Sequence, residues 1–225
     1  MLSEELLQYF CQFISENRSE KMDRVLDNRT KYLTVVIENI FQPHNASAVI
    51  RSCDCFGLQE LHIIENTHKY KINRDIALGS SKWVDIVKHK GKQNNTLECI
   101  SLLKNNGYKI VATTPHTEDI CLEDFPVDQK IALLLGNEVD GLSKEAIEQA
   151  DGFLKIPMIG FTESLNISVT AAICMHHLTW KLKHSEINWK LTHEEKTEIK
   201  LRWIKNILQR SDLIEQEFYN KLLKR

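Results

Sequence analysis

The 225-residue sequence contains no G-x-G, no C-x-x-C, no H-E-x-x-H and no G-x-S-x-G. Without closely spaced glycines the backbone cannot approach a pyrophosphate, which excludes a Rossmann-type dinucleotide site. Without the zinc-protease spacing or a nucleophile elbow, metalloprotease and α/β-hydrolase chemistry has no anchor. Glycine (8) and proline (4) are scarce, so connections are short and no flexible linker divides the chain. No apolar run approaches the ~20 residues that cross a bilayer, and Ile131–Leu135 is only strand-sized. The start, Met1 to Glu5, has no apolar leader core, and the expected compartment is the cytoplasm. Bulk positive charge is lacking as well, with 29 Lys+Arg against 31 Asp+Glu for a net −2. Nucleic acid would therefore be held by local basic patches. The six cysteines, Cys11, Cys53, Cys55, Cys99, Cys121 and Cys174, form no compact disulfide framework and read as reduced thiols.

What is present is strand–helix alternation. Leu2 to Ile14 has helical periodicity, and Lys21 to Asp27 predicts a second short helix. From Leu33 the pattern changes. Strands are expected at 33–37, 61–64, 83–87, 108–112, 131–135 and 153–156. Helices are expected from Asn45, as N-cap, to the stop at Gly57, at 96–103, at 143–149 and from Asn166 to Lys183. Ile131–Leu135 is apolar without alternation, as in a parallel strand buried on both faces. Thr192 with Glu195 forms a capping box that opens a tail helix. The expected fold is α/β, a mainly parallel sheet flanked by helices, with helical extensions at both ends. Residues 181–225 carry 11 Lys+Arg against 7 Asp+Glu, either a solvated helical face or a polyanion contact.

Several tempting motifs fail. Gly136–Ser143 has P-loop glycine spacing, but Leu142 stands where the phosphate-binding lysine belongs. Glu138 and Asp140 would also repel phosphates. His176 and His177 are about 100° apart on a helix and cannot easily share a metal. Cys53 and Cys55 fall in an amphipathic helix as core filler.

Three polar clusters remain at strand ends and helix starts, where open α/β sheets bind ligands. The first runs from His44 and Asn45 to Arg51, the second is Gly136–Gly141 with Glu138, and the third is Ile156–Asn166 with Ser164. On a regular helix Arg51 points about 120° away from Asn45 and shares a stripe with Ala48 and Cys55. Two small neighbours beside a cation make an open positive surface suited to a phosphate or ribose. Helix-start amides with Ser164 and Asn166 make a neutral hydrogen-bonding cradle.

Together these segments, H-N-x-x-A-x-x-R from His44, L-L-G-x-E-x-x-G-L-S from Leu134, and I-P-M-x-G-x-x-x-S-L-N-I-S-V from Ile156, resemble the SpoU/TrmH family of SPOUT RNA ribose 2′-O-methyltransferases. The resemblance covers residues 33–180. It implies a C-terminal trefoil knot, a rare exception to un-knotted topology. It also implies residues 31–183 as the methyltransferase domain, 1–30 and 184–225 as helical extensions, and a homodimer whose site is shared between chains. The implied cofactor is S-adenosylmethionine (AdoMet), held by Thr113, Thr114, Gly136, Ile156, Met158 and Leu165. The implied reaction is methyl transfer to a ribose 2′-hydroxyl of tRNA, at guanosine-18 of the D-loop, with rRNA methylation or an idle RNA-binding factor as alternatives. The implied catalytic group is Arg51, Asn45, Glu138, Ser164 and Asn166, with His44, Arg29, Lys181 and Lys183 touching RNA and no metal. Where relatives often end the last motif's helix in arginines, this chain has Lys181 and Lys183, which are point charges and not bidentate grips.

Overall fold

The computed structural model describes residues 2–69, 79–114 and 119–223. The chain divides into two units, Thr30–Trp189 and a second made of Met1–Arg29 with Lys190–Arg225.

The larger unit is built on a seven-stranded sheet: β1 (Leu33–Glu38), β2 (Glu60–Ile64), β3 (Asp85–His89), β4 (Lys109–Thr113), β5 (Ile120–Cys121), β6 (Ile131–Leu135) and β7 (Gly152–Lys155). Their order is β3-β2-β1-β6-β4-β7-β5, and every pairing is parallel. β1 and β6 lie side by side at the centre, Leu33 opposite Ile131 through Ile37 opposite Leu135, and every residue of both is buried. Burial on both faces is why neither strand alternates in sequence. Two helices, α3 (Pro43–Phe56) and α6 (Ile167–Lys183), bring Val49, Ile50, Ala171 and Leu178 against Val35, Ile37 and Leu133. On the opposite face α4 (Asn95–Asn105) and α5 (Lys144–Gln149) bring Ile100, Leu103 and Ala146 against Val36 and Leu134. The pleat sends neighbouring residues of β1 to opposite cores.

Several boundaries differ from the sequence expectation, each for a local reason. Proline at its first position starts α3 at Pro43, with Gln42 as N-cap, so Asn45 lies inside the first turn and does not cap it. Gly57 ends α3 in the left-handed region at φ 84°, as the sequence implies. A short 3-10 turn, Ser80–Lys82, takes Trp83 into a bend, and β3 starts at Asp85. β5 is two residues long, too short to leave a periodic signal. Residues 184–189 go with the larger unit: Thr30 Oγ1 donates to the Trp189 carbonyl at 2.6 Å, and Ile187 and Trp189 pack on its core. Of the two neighbouring thiols, Cys53 is core and Cys55 is exposed.

The smaller unit joins both chain ends in α1 (Leu2–Cys11), α2 (Glu16–Leu26), α7 (His193–Ile207) and α8 (Ser211–Leu222). Phe10, Leu26, Trp203 and Ile204 are buried in it. The Thr192–Glu195 capping box is complete, with each backbone amide bonded to the other side chain. Much of the tail's positive charge is matched locally. Lys196 pairs with Asp27, Lys200 with Asp23, Lys205 with Glu215 and Lys221 with Glu217, at 2.6–2.8 Å. Arg29 is 1 % exposed, its guanidinium 5.5 Å over the Trp203 ring. Burial corrects the expectation that it meets RNA. No described helix is long and apolar enough to cross a membrane.

Candidate active site

At the carboxyl ends of β4, β6 and β7 the sheet opens into a cleft of about 870 Å³. Parallel sheets place ligands there because loops and helix starts converge at that edge. Each lining segment has a reason for its shape. After β6, Asn137 and Gly141 bond to each other through both backbone amides at 3.0 and 3.2 Å. The Asn137 side chain also accepts from the amides of Val139 and Asp140 at 2.8 and 2.7 Å. The loop closes so tightly that a Cβ on Gly136 would lie 2.1–2.3 Å from the backbone of Gly141 and Leu142. Only glycine fits. After β4, Thr113 Oγ1 donates to the Leu134 carbonyl at 3.0 Å, and the Thr114 hydroxyl to the Asp119 carboxylate. After β7, Pro157 stops the strand and the chain runs without regular structure, bending at Gly160 and Phe161, to Asn166. Asn166 caps α6 by accepting from the Ser168 amide at 2.9 Å.

At the cleft's edge three distant segments are tied by side chains. Asn45, 2 % exposed, donates to the Glu138 carboxylate. Its amide oxygen accepts from Asn166 Nδ2 at 3.2 Å. The other Glu138 oxygen takes a longer bond from the Phe41 amide, at 3.4 Å. This network is available because Asn45 is relieved of capping by Pro43.

Of the residues expected to hold a cofactor, Thr113, Thr114, Gly136, Ile156, Met158 and Leu165 all line the cleft. Glu138, Ser164 and Asn166 line it too, and Asn45 joins them by hydrogen bond. The lining also includes Gln42, whose side-chain oxygen lies 3.3 Å from Asn45 Nδ2. Sequence reading missed it, and its only signal was its place just before Pro43-His44-Asn45.

Residues 32–176 match the SpoU rRNA Methylase family. The chain belongs to that family. A Borreliella burgdorferi protein named tRNA (guanosine(18)-2'-O)-methyltransferase is 41 % identical over 203 residues, 90 % of this chain and 91 % of the relative. An Escherichia coli protein of the same name is 30 % identical over 72 % of this chain and 69 % of its own length. A crystal structure of the Aquifex aeolicus TrmH/SpoU tRNA modifying enzyme superposes with a TM-score of 0.75 at 33 % identity, covering 86 % of this chain and 98 % of that one. The fold is shared at 24 % identity, TM-score 0.61, by the Streptomyces viridochromogenes SpoU methyltransferase AviRb, solved with AdoMet; that match covers 72 % of this chain and 65 % of that one.

Within this SpoU chain, Arg51 stands apart. It is exposed on α3 and is not among the cleft's lining residues. Among the described residues it makes no hydrogen bond or ion pair. His44 is exposed in the first turn of α3. The two lysines that end α6 differ sharply. Lys181 donates to the carbonyls of Glu123 and Phe125 at 2.9 and 2.6 Å, whereas Lys183 is exposed with its ammonium 6.0 Å over Trp189. Along α6, Val169, Ile173 and Trp180 form an exposed apolar stripe at helical spacing. Ile159 and Phe161, beside the cleft segment, are fully exposed.

Proposed function

We propose that this chain transfers a methyl group from AdoMet to a ribose 2′-hydroxyl in tRNA, at guanosine-18. The observation that carries the reading is the side-chain junction of Asn45, Glu138 and Asn166 at the cleft's edge. It joins the three segments on which the family resemblance rests. The relatives' names point to the same substrate, and the Borreliella burgdorferi protein matches over nearly its whole length.

The cleft fits the cofactor. Leu135, Leu142, Ile156, Met158 and Leu165 offer apolar walls for an adenine, and the Gly136–Gly141 turn brings backbone close with no side chain between. AdoMet, when bound, supplies an electrophilic sulfonium methyl, so no metal is needed to activate the leaving group. The chain's residues must then orient a ribose hydroxyl and stabilise the negative charge that grows as it loses its proton. Glu138, fixed by Asn45 and the Phe41 amide, holds the loop edge. Ser164 and Asn166 face the cleft as neutral hydrogen-bonding groups. An arginine side chain is a poor base at neutral pH, so the role of Arg51 is to stabilise the developing oxyanion.

Arg51 performs that role in the cleft of a second copy of the chain, in a homodimer. Its absence from its own cleft supports this, as does the exposed Val169–Ile173–Trp180 stripe on α6, the helix that packs beside α3. A trefoil knot through the cleft segments belongs to the same reading. The test is labelled methyl transfer from AdoMet to unmodified tRNA and, separately, rRNA, with the modified nucleoside identified. The expected product is 2′-O-methylguanosine in tRNA; label in rRNA alone, or none in either, overturns the assignment.

A further inference from the structure

Away from the cleft, the described residues hold a compact set of metal-ligating side chains: His62 in β2, His89 in β3 and Cys99 in α4. One donor atom from each lies within 4.8 Å of the other two. All three are buried, at 2 %, 8 % and 0 % exposure. Backbone register explains the meeting. His62 is opposite Val87, so His89, two residues on, points to the same face of the sheet, the face that α4 covers. His62 Nδ1 is 2.9 Å from His89 Nε2, and His62 Nε2 is 2.6 Å from Glu60 Oε1. With Glu60 accepting from His62 Nε2–H, the Nδ1 lone pair accepts the hydrogen bond from His89 Nε2–H.

We propose that His62 Nδ1, His89 Nε2 and Cys99 Sγ bind a divalent ion of the zinc class, with Glu60 orienting His62 from behind. Two imidazoles and a thiolate are a borderline-soft donor set that suits zinc, and three protein ligands leave a fourth tetrahedral position for water. A carboxylate on the far nitrogen of a ligating histidine is the usual support for such a ligand. Tetrahedral zinc with nitrogens at ~2.1 Å holds them ~3.4 Å apart, so the two rings part by about half an ångström and turn until both lone pairs meet at the ion. Cys99 Sγ adds the third donor that the hydrogen-bonded Glu60–His62–His89 chain by itself lacks. On binding, the His89 proton moves from Nε2 to Nδ1 and the thiol proton leaves to water. None of these residues lines the cleft. The ion would be structural, tying the sheet's edge strand β3 to β2 and α4.

The experiment strips the full-length protein with a chelator, titrates it with cobalt(II), and then displaces the cobalt with zinc. Expected are a thiolate-to-cobalt charge-transfer band and tetrahedral visible bands, lost on adding zinc, together with a higher melting temperature in zinc. Cys99→Ser abolishes the charge-transfer band, while Cys55→Ser, which removes an exposed thiol, keeps it. Glu60→Gln keeps the band and weakens zinc binding about 10- to 100-fold. No charge-transfer band in the wild-type protein overturns the proposal, whatever the variants do. So does a band that survives Cys99→Ser or disappears in Cys55→Ser.

Discussion

Glu38 and Ser143 are joined twice. One carboxylate oxygen accepts the Ser143 hydroxyl and the other its backbone amide, both at 2.8 Å. Glu38 ends β1 at 1 % exposure, and the Thr96 hydroxyl also donates to it. Ser143 is the N-cap of α5 and closes the loop that opens at Gly136. A buried carboxylate thus fastens one end of the cleft-forming loop to the centre of the sheet.

Glu38→Ala leaves the Ser143 amide and two hydroxyls without their acceptor. Charge-assisted hydrogen bonds contribute roughly 1.5–3 kcal/mol each, less than additively in one network. The expected loss is about 2–4 kcal/mol, read from the urea midpoint. AdoMet affinity, measured calorimetrically, falls as well because the loop end is released. Stability lost with affinity intact would show that the loop holds its shape without this anchor.

Gly136 and Gly141 should respond differently to alanine. At Gly136 the new Cβ meets backbone at 2.1 Å, which no rotamer relieves, so the Asn137–Gly141 turn must open and AdoMet binding is abolished. At Gly141 the added Cβ meets open space, and only the left-handed φ of +72° opposes it. That costs about 1–2 kcal/mol, with binding weakened but measurable. Equal losses at both positions would place the loop's constraint elsewhere.

These contrasts mark what could be read without coordinates. β1 and β6 were legible because burial on both faces leaves an apolar run in the sequence, and the helix ends at Gly57, Asn166 and Thr192 because capping is a local matter of residue type and backbone angle. Asn45 as an N-cap failed, since Pro43 offered a better helix start two residues earlier. Arg29 looked like a surface cation because sequence does not reveal that Trp203 folds over it. Glu38 gave only the faint sign of an acid ending a β-branched, mostly apolar run. His62, His89 and Cys99 gave none, because their meeting depends on strand register and on how α4 packs.

For Arg51 the expectation is a split between chemistry and binding. Arg51→Ala lowers turnover by about 100- to 1,000-fold, the usual loss when an oxyanion-stabilising donor is removed. AdoMet affinity does not change, because the guanidinium acts on the charge that develops on the ribose oxygen and not on the cofactor. Stability moves by no more than about 0.5 kcal/mol for an exposed, unbonded side chain. If sites are shared between chains, mixing Arg51→Ala with Gly136→Ala restores activity. A mixed dimer then holds one intact cleft facing one intact arginine. No restoration on mixing places the arginine in its own chain's site.

The lysines ending α6 separate packing from RNA contact within two residues. Lys181 spends its ammonium on the carbonyls of Glu123 and Phe125, so Lys181→Ala should lower stability by about 1–2 kcal/mol and leave the salt dependence of tRNA binding alone. Lys183 is exposed, its ammonium over the Trp189 ring. If it meets a phosphate, Lys183→Ala weakens tRNA binding equally for all sequences. It also reduces the slope of log affinity against log salt by about one, since each phosphate contact releases about one counterion. Filter binding of the wild type and both variants across a salt series reads slope and affinity together. An unchanged slope in Lys183→Ala would move the RNA contact off the end of this helix, and a reduced slope in Lys181→Ala would mean its carbonyl bonds give way when RNA binds.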